Sequence, residues 1–235
     1  MTELNDDIAS TFGFYKGDMH PDLAPYVDGS MLRHPLVQTI VPAPGFCGHI
    51  NRLYSQKLEF IATAGAAGNW SDVVFAHERP YRADALQQLI DDGRVSLDDK
   101  SVWELISSVW TDSENVEQYN DFWEGLWSEP NSRLAMTKKE ERALSKLPDP
   151  VKVWHGLERN DESLIGISWT TSKKVATWFA KRFALIHDRE AYLAEGVISK
   201  DKVRAYLMAR NEFEIITLPT DVETVSIQKL KVDNA

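Results

Sequence analysis

Cysteine occurs once, at Cys47, so the chain makes no internal disulfide and draws no stability from cross-links. That usage points to a reducing compartment. The first residues, Met1-Thr2-Glu3-Leu4-Asn5-Asp6-Asp7, are acidic and lack the apolar core of a secretory leader. Long hydrophobic runs are also missing. The stretch from Leu36 to Ala43 is broken by Gln38, Thr39 and Pro42 and falls far short of the ~20 residues that span a bilayer. These absences together predict a cytoplasmic protein with no membrane partner. The six histidines are scattered and no Cys or His pair has zinc-ligand spacing, so no metal is expected. Glycine-rich phosphate loops of the Walker or dinucleotide type are absent. An excess of positive charge is lacking too: 26 basic against 36 acidic side chains leave a net −10, which repels phosphate backbones and argues against general nucleic-acid binding.

What is present is a chain of 235 residues, 43% hydrophobic, with room for one large domain or two modest ones. Composition shifts at Leu147-Pro148-Asp149-Pro150, which divides the chain into residues 1–149, mainly helical, and residues 150–235. In the first part, residues 1–49 carry Pro21, Pro25, Pro35, Pro42 and Pro44 with several glycines and read as loops. Ile50, Leu53, Tyr54, Lys57, Leu58, Ile61 and Ala62 follow helical spacing, and Gly65 and Gly68 end that helix. Ser71 or Asp72 is expected to cap a short helix through Glu78, and Pro80 precedes another from about Arg82 to Asp91. Trp103, Ile106 and Trp110 step by three and four, as do Tyr119, Phe122, Trp123 and Leu126, with Ser113 as N-cap of the second run. Thr137 and Glu140 stand in capping-box spacing at the head of a Lys/Glu-rich helix to Lys146. The tryptophans 103, 110, 123 and 127 read as core. The cluster from His77 to Arg82 reads as capping and ion pairing.

Beyond Pro150 the period changes from 3.6 to 2. Val151, Val153 and His155 alternate with Lys152 and Trp154, a strand with two distinct faces. Gly166 to Thr170 forms a second short strand, and Ser172 caps a helix in which Val175, Ala176, Phe179 and Phe183 share a face, so that Phe179 reads first as core. The runs 192–199, 203–209, 212–217 and 222–231 are strand-like. The fold class is therefore α+β, a helical N-terminal region followed by a unit of short, mainly antiparallel strands.

Three segments of this second part hold polar residues at strand ends, where packing alone does not place them. In Val153-Trp154-His155-Gly156, a glycine after the histidine lets a ligand approach the backbone. In Gly166-Ile167-Ser168-Trp169-Thr170, the two hydroxyls share one strand face and the indole takes the other. In Asn211-Glu212-Phe213-Glu214, a strand sets both carboxylates on one face about 6–7 Å apart, suited to stabilising developing positive charge and orienting a nucleophile. Two basic pairs, Lys138-Lys139 and the richer set Lys173-Lys174 with Lys181-Arg182, read as solvated helix faces, although a small anionic ligand could use the second.

In this order the motifs resemble the mono-ADP-ribosyltransferase family, in which a first strand ends in Arg or His, a second carries Ser-Thr-Ser or a variant and leads into a helix, and a later one carries Glu-x-Glu. The resemblance covers residues 150–230, and the whole chain is similar to phage-borne proteins with a helical region before such a unit. It implies NAD as substrate and transfer of ADP-ribose to a macromolecular acceptor, a protein foremost, in the host cytoplasm if phage-encoded. His155 would bind the adenosine-side ribose and Gly156 the nicotinamide amide through its backbone. Ser168 and Thr170 would brace the NAD pocket, Phe179 or Trp169 would set a ring beside nicotinamide, and Arg182 would meet the pyrophosphate. Glu214 would stabilise the oxocarbenium-like transition state, and Glu212 would position or deprotonate the acceptor, a pairing that accompanies arginine acceptors. His155 stands where arginine-modifying members carry Arg. The branch with His pairs it with a Tyr, yet Tyr192 and Tyr206 lie well downstream of the Ser168 strand. NAD hydrolysis, and a silent module that binds a partner protein, are the alternatives.

Overall fold

Proline and glycine in the first fifty residues punctuate strands instead of abolishing them. Strands β1 (Val27–Asp28), β2 (Met31–His34) and β3 (Val37–Ile40) form an antiparallel three-stranded sheet. Two-residue connections join them: Gly29 takes φ +59° in the first, and Pro35-Leu36 make the second. The expectation of loops is thus corrected for residues 27–40. The computed structural model describes residues 19–41, 46–113, 116–161 and 166–231, so the expectations for 1–18 and 42–45 lie outside the described residues.

The described residues hold seven α-helices and nine strands, a mixed α+β protein whose sheets are antiparallel. They fall into two compact units. The first comprises the described residues up to Arg94, with Asp112 and Ser113. Its helix α1 (Cys47–Ala66) buries Ile50 and Tyr54 with Leu23, Leu32, Leu36 and Val37, while Leu53 and Leu58 of the expected apolar face stay exposed. Helix α2 (Trp70–Phe75) is capped by Asn69, whose Oδ1 accepts from Asp72 N at 3.3 Å, rather than by Ser71 or Asp72. Helix α3 (Arg82–Asp91) has the expected limits. The polar cluster before it is an ion-pair network: Lys57 meets Glu78 at 2.8 Å, and Arg79 and Arg82 both reach Asp112.

The second unit runs from Val95 to Thr111 and again from Val116 onward, so the compositional change at 147–150 falls inside it. Helices α4 (Lys100–Asp112), α5 (Asn120–Ser128) and α6 (Lys138–Lys146) precede the larger sheet. The tryptophans bury edge to face, Trp110 on Trp123 at 5.1 Å and on Trp127 at 5.8 Å. The capping box at Thr137 and Glu140 is formed. The same Glu140 carboxylate accepts from Met208 N at 2.7 Å, and Arg133 donates to the carbonyls of Val203 and Lys200, at 3.0 and 2.6 Å. Such bonds tie residues before Pro150 to the strands after it.

Those strands are β4 (Val151–Leu157), β5 (Ser168–Thr170), β6 (Tyr192–Ile198), β7 (Ala205–Leu207), β8 (Glu214–Ile216) and β9 (Glu223–Lys229), in the order β7-β8-β5-β4-β6-β9. Helix α7 (Lys173–His187), capped by Ser172, follows β5. Its buried residues are Ala176, Ala180 and Ala184, not the larger apolar side chains that the spacing put on the core face. The reason is close approach: a Cβ on Gly156 of β4 would stand 2.5 Å from the Ala176 carbonyl oxygen and 2.7 Å from Ala180 N. Only small residues fit this seam.

Candidate functional site

The three polar segments meet because β8, β5 and β4 are neighbours, with β5 in the middle. β5 pairs with β8 over its whole length, from Ser168↔Ile216 to Thr170↔Glu214. Toward β4 the register holds one pair among the described residues, Trp154↔Thr170. Next to that pair a side chain makes the link: His155 Nδ1 lies 2.7 Å from the Ser168 carbonyl oxygen. A carbonyl only accepts, so Nδ1 carries the proton and the neutral ring presents Nε2 as an acceptor. Burial pushes the imidazole below its usual pKa and so favours the neutral form, while the bond to Ser168 opposes that shift.

Ser168 also serves the carboxylate. Its hydroxyl donates to Glu214 Oε1, and Trp110 Nε1 donates to Oε2 at 3.1 Å. Burial raises the Glu214 carboxyl above its ordinary range, the two donors work against that shift, and the Glu212 charge adds to it. His155, Ser168 and Glu214 thus form one connected group. Trp110 joins it from a helix, a contact that core-like spacing in the sequence gives no means of finding.

Glu212 departs from expectation. It lies outside β8 in a turn, with φ −85° and ψ −17°, and does not alternate with Glu214 along a strand. Arg210, Asn211 and Phe213 around it take φ of +55°, +57° and +51°, a left-handed conformation costly for Phe above all. The turn is held from β5 and beyond: Thr170 Oγ1 donates to the Glu212 carbonyl at 2.6 Å, and Thr171 N to the Phe213 carbonyl at 3.0 Å. The Glu212 carboxylate pairs with Arg210 at 3.1 Å.

The remaining expected pocket residues divide. Thr170 is buried and braces this turn, also accepting from Ser172 N at 3.0 Å. Trp169 is buried, with its ring 5.6 Å from that of His155, and belongs to the core beneath the group rather than to a pocket wall. Gly156 is explained by its contact with α7. Phe179 sits partly exposed in a row of rings, 4.9 Å from Trp178 and 5.9 Å from Phe183, which corrects its reading as core. Arg182 lies over Trp178 at 5.1 Å on the outer side of that helix. Conversely, Tyr206, distant in sequence, pairs with Ile215 and brings its hydroxyl to 3.5 Å from Thr171 Oγ1.

A pocket of about 280 Å³ beyond the end of β4 is lined by Glu158, Arg159, Asn160, Arg189, Glu190 and Tyr192. Both its carboxylates are paired, Glu158 with His187 and Arg189 and Glu190 with Lys229. It does not include the Ser168 group. Among the described residues, no cluster of three or more His, Cys, Asp or Glu is placed to hold a metal ion, and no helix is long and apolar enough to cross a membrane. Compared with protein-family models, curated proteins and solved structures, the chain finds no match.

Proposed function

We propose that the second unit is an NAD-dependent mono-ADP-ribosyltransferase. The observation that carries the reading is Glu214, a desolvated carboxylate bonded to Ser168 and Trp110, with one strand between it and a neutral His155 anchored to the same serine. In the proposed reaction the bond between ribose C1′ and the nicotinamide nitrogen breaks. Nicotinamide leaves with the electron pair and C1′ becomes cationic. A carboxylate poorly compensated in its ionised form gains most from charge that develops only at that moment, so it raises the rate more than it tightens binding. His155 Nε2 would accept from a ribose hydroxyl of the adenosine side. The acceptor then supplies the electron pair for the new bond to C1′ and releases a proton, to Glu212 or to water.

Glu212 favours a second reading. Its ion pair with Arg210 occupies the carboxylate that would orient a macromolecular acceptor, which leaves water as the acceptor and the enzyme an NAD glycohydrolase. Incubation with labelled NAD and cell lysate separates the two. Label on a macromolecule, lost in Glu214→Gln, supports transfer; nicotinamide release without label supports hydrolysis. If neither product forms, both readings fail and a silent binding module stands. Glu212→Gln is expected to suppress transfer while sparing hydrolysis, and equal loss of both contradicts that division of labour.

A further inference from the structure

Helix α7 docks on the sheet through its smallest residues, Ala176, Ala180 and Ala184, and its large apolar ones face away. Trp178 is 53% exposed, Leu185 64% and Ile186 60%. At about 3.6 residues per turn these three lie in one arc opposite the alanine seam. Around this arc the helix also carries Lys174, Lys181 and Arg182, and it contains no Asp or Glu, in a chain of net charge −10. Apolar and cationic side chains on one solvent-facing surface, with Arg182 stacked over Trp178, are an unusual way to spend a helix.

We propose that the outward face of α7 is a docking surface for an anionic membrane. The helix would lie in the headgroup plane, Trp178, Leu185 and Ile186 entering the acyl boundary while the long lysine stems carry their ammonium groups up to lipid phosphates. The lack of a spanning helix does not bear on this, because lying on a bilayer requires only one apolar stripe. Charge complementarity selects the occupant. A second copy paired through the same face would set cations against cations. A single nucleic-acid strand stacks on flat rings, and the two most exposed residues of the arc, Leu185 and Ile186, have none. Asp188 at the helix C-cap and Glu158 against His187 oppose the contact locally, while acidic groups beyond a screening length of ~8 Å count for little. The proposal holds whether or not the second unit turns over NAD.

The test is co-sedimentation of the full chain with vesicles of phosphatidylcholine containing phosphatidylserine, and with phosphatidylcholine alone. Binding is expected to the first and to weaken as salt rises. Lys174→Glu should weaken it by at least about fivefold, the effect of roughly 1 kcal/mol per cation at the surface. Leu185→Ser combined with Ile186→Ser should abolish it, with the melting curve of the variant confirming that the fold persists. No binding to the phosphatidylserine vesicles overturns the proposal. So does binding that both sets of substitutions leave unchanged, or preference for polyglutamate or an oligothymidine strand over the vesicles.

Discussion

Trp110 and Glu214, 104 residues apart in sequence, are joined by a hydrogen bond of 3.1 Å from indole to carboxylate. Trp110 is otherwise a core residue, clamped edge to face by two other tryptophans, so its N–H is fixed in direction. A donor that cannot turn away limits where the carboxylate can sit. Trp110→Phe keeps the ring and removes the donor. Because that bond lowers the Glu214 pKa, its loss should move the acidic limb of the activity profile to higher pH and cost on the order of tenfold in rate near neutrality. An unchanged profile with reduced stability would reduce Trp110 to packing.

Glu214→Gln should lower nicotinamide release by about 10²–10³-fold. It should also stabilise the fold at neutral pH. The folded carboxyl has a raised pKa, so the folded state holds its proton more tightly than the unfolded chain, whose value is 4.5. Stability from this group is fully present below 4.5 and is lost as pH rises through the folded value. Glutamine is neutral throughout and can satisfy both neighbours, its oxygen accepting from Trp110 and its amide donating to the Ser168 oxygen. Melting temperatures at acid and neutral pH would reveal the crossover; a variant less stable at both would contradict it.

His155 has the opposite linkage. Burial depresses its pKa from 6.5, so its contribution is present above 6.5 and is lost as pH falls through the folded value. His155→Ala should flatten that slope and raise the KM for NAD by roughly tenfold with a smaller effect on kcat, the signature of one lost hydrogen bond to a remote part of the substrate. Chemical denaturation across this pH range, beside initial rates, checks both.

Gly156→Ala tests the seam under α7. The new methyl would stand 2.5 Å from a helix carbonyl and 2.7 Å from an amide nitrogen, and neither is a flexible side-chain end. A cost of about 1–3 kcal/mol is expected from denaturant unfolding. A neutral result would mean that the helix slides freely over β4.

Periodicity in the sequence marks α3, the Thr137 capping box, the Ser172 cap and the His155 strand well, because each rests on local chemistry. It misleads where local and tertiary preferences part. Pro35 and Gly29 carry the signature of loops and in fact turn hairpins. On α7, hydrophobicity weights Phe179 and Phe183 above alanine, but the distance to Gly156 admits only methyl groups. Glu212-Phe213-Glu214 looks like alternation, and positive φ at Asn211 and Phe213 breaks it. The connected group of His155, Ser168 and Glu214 was within reach of motif order. Trp110 was not, since no local pattern says where an indole N–H points.

Among the described residues one registered pair joins β4 to β5, so the large sheet reads as two three-stranded flaps, β7-β8-β5 and β4-β6-β9, stitched at Trp154↔Thr170 and by the imidazole of His155. Glu214 rides on one flap and His155 on the other. A molecule gripping both would act as a further stitch, so occupancy should be legible in the backbone itself: the amides flanking the join would exchange with solvent more slowly, while those deep in the seven-residue β4–β6 ladder would hardly change.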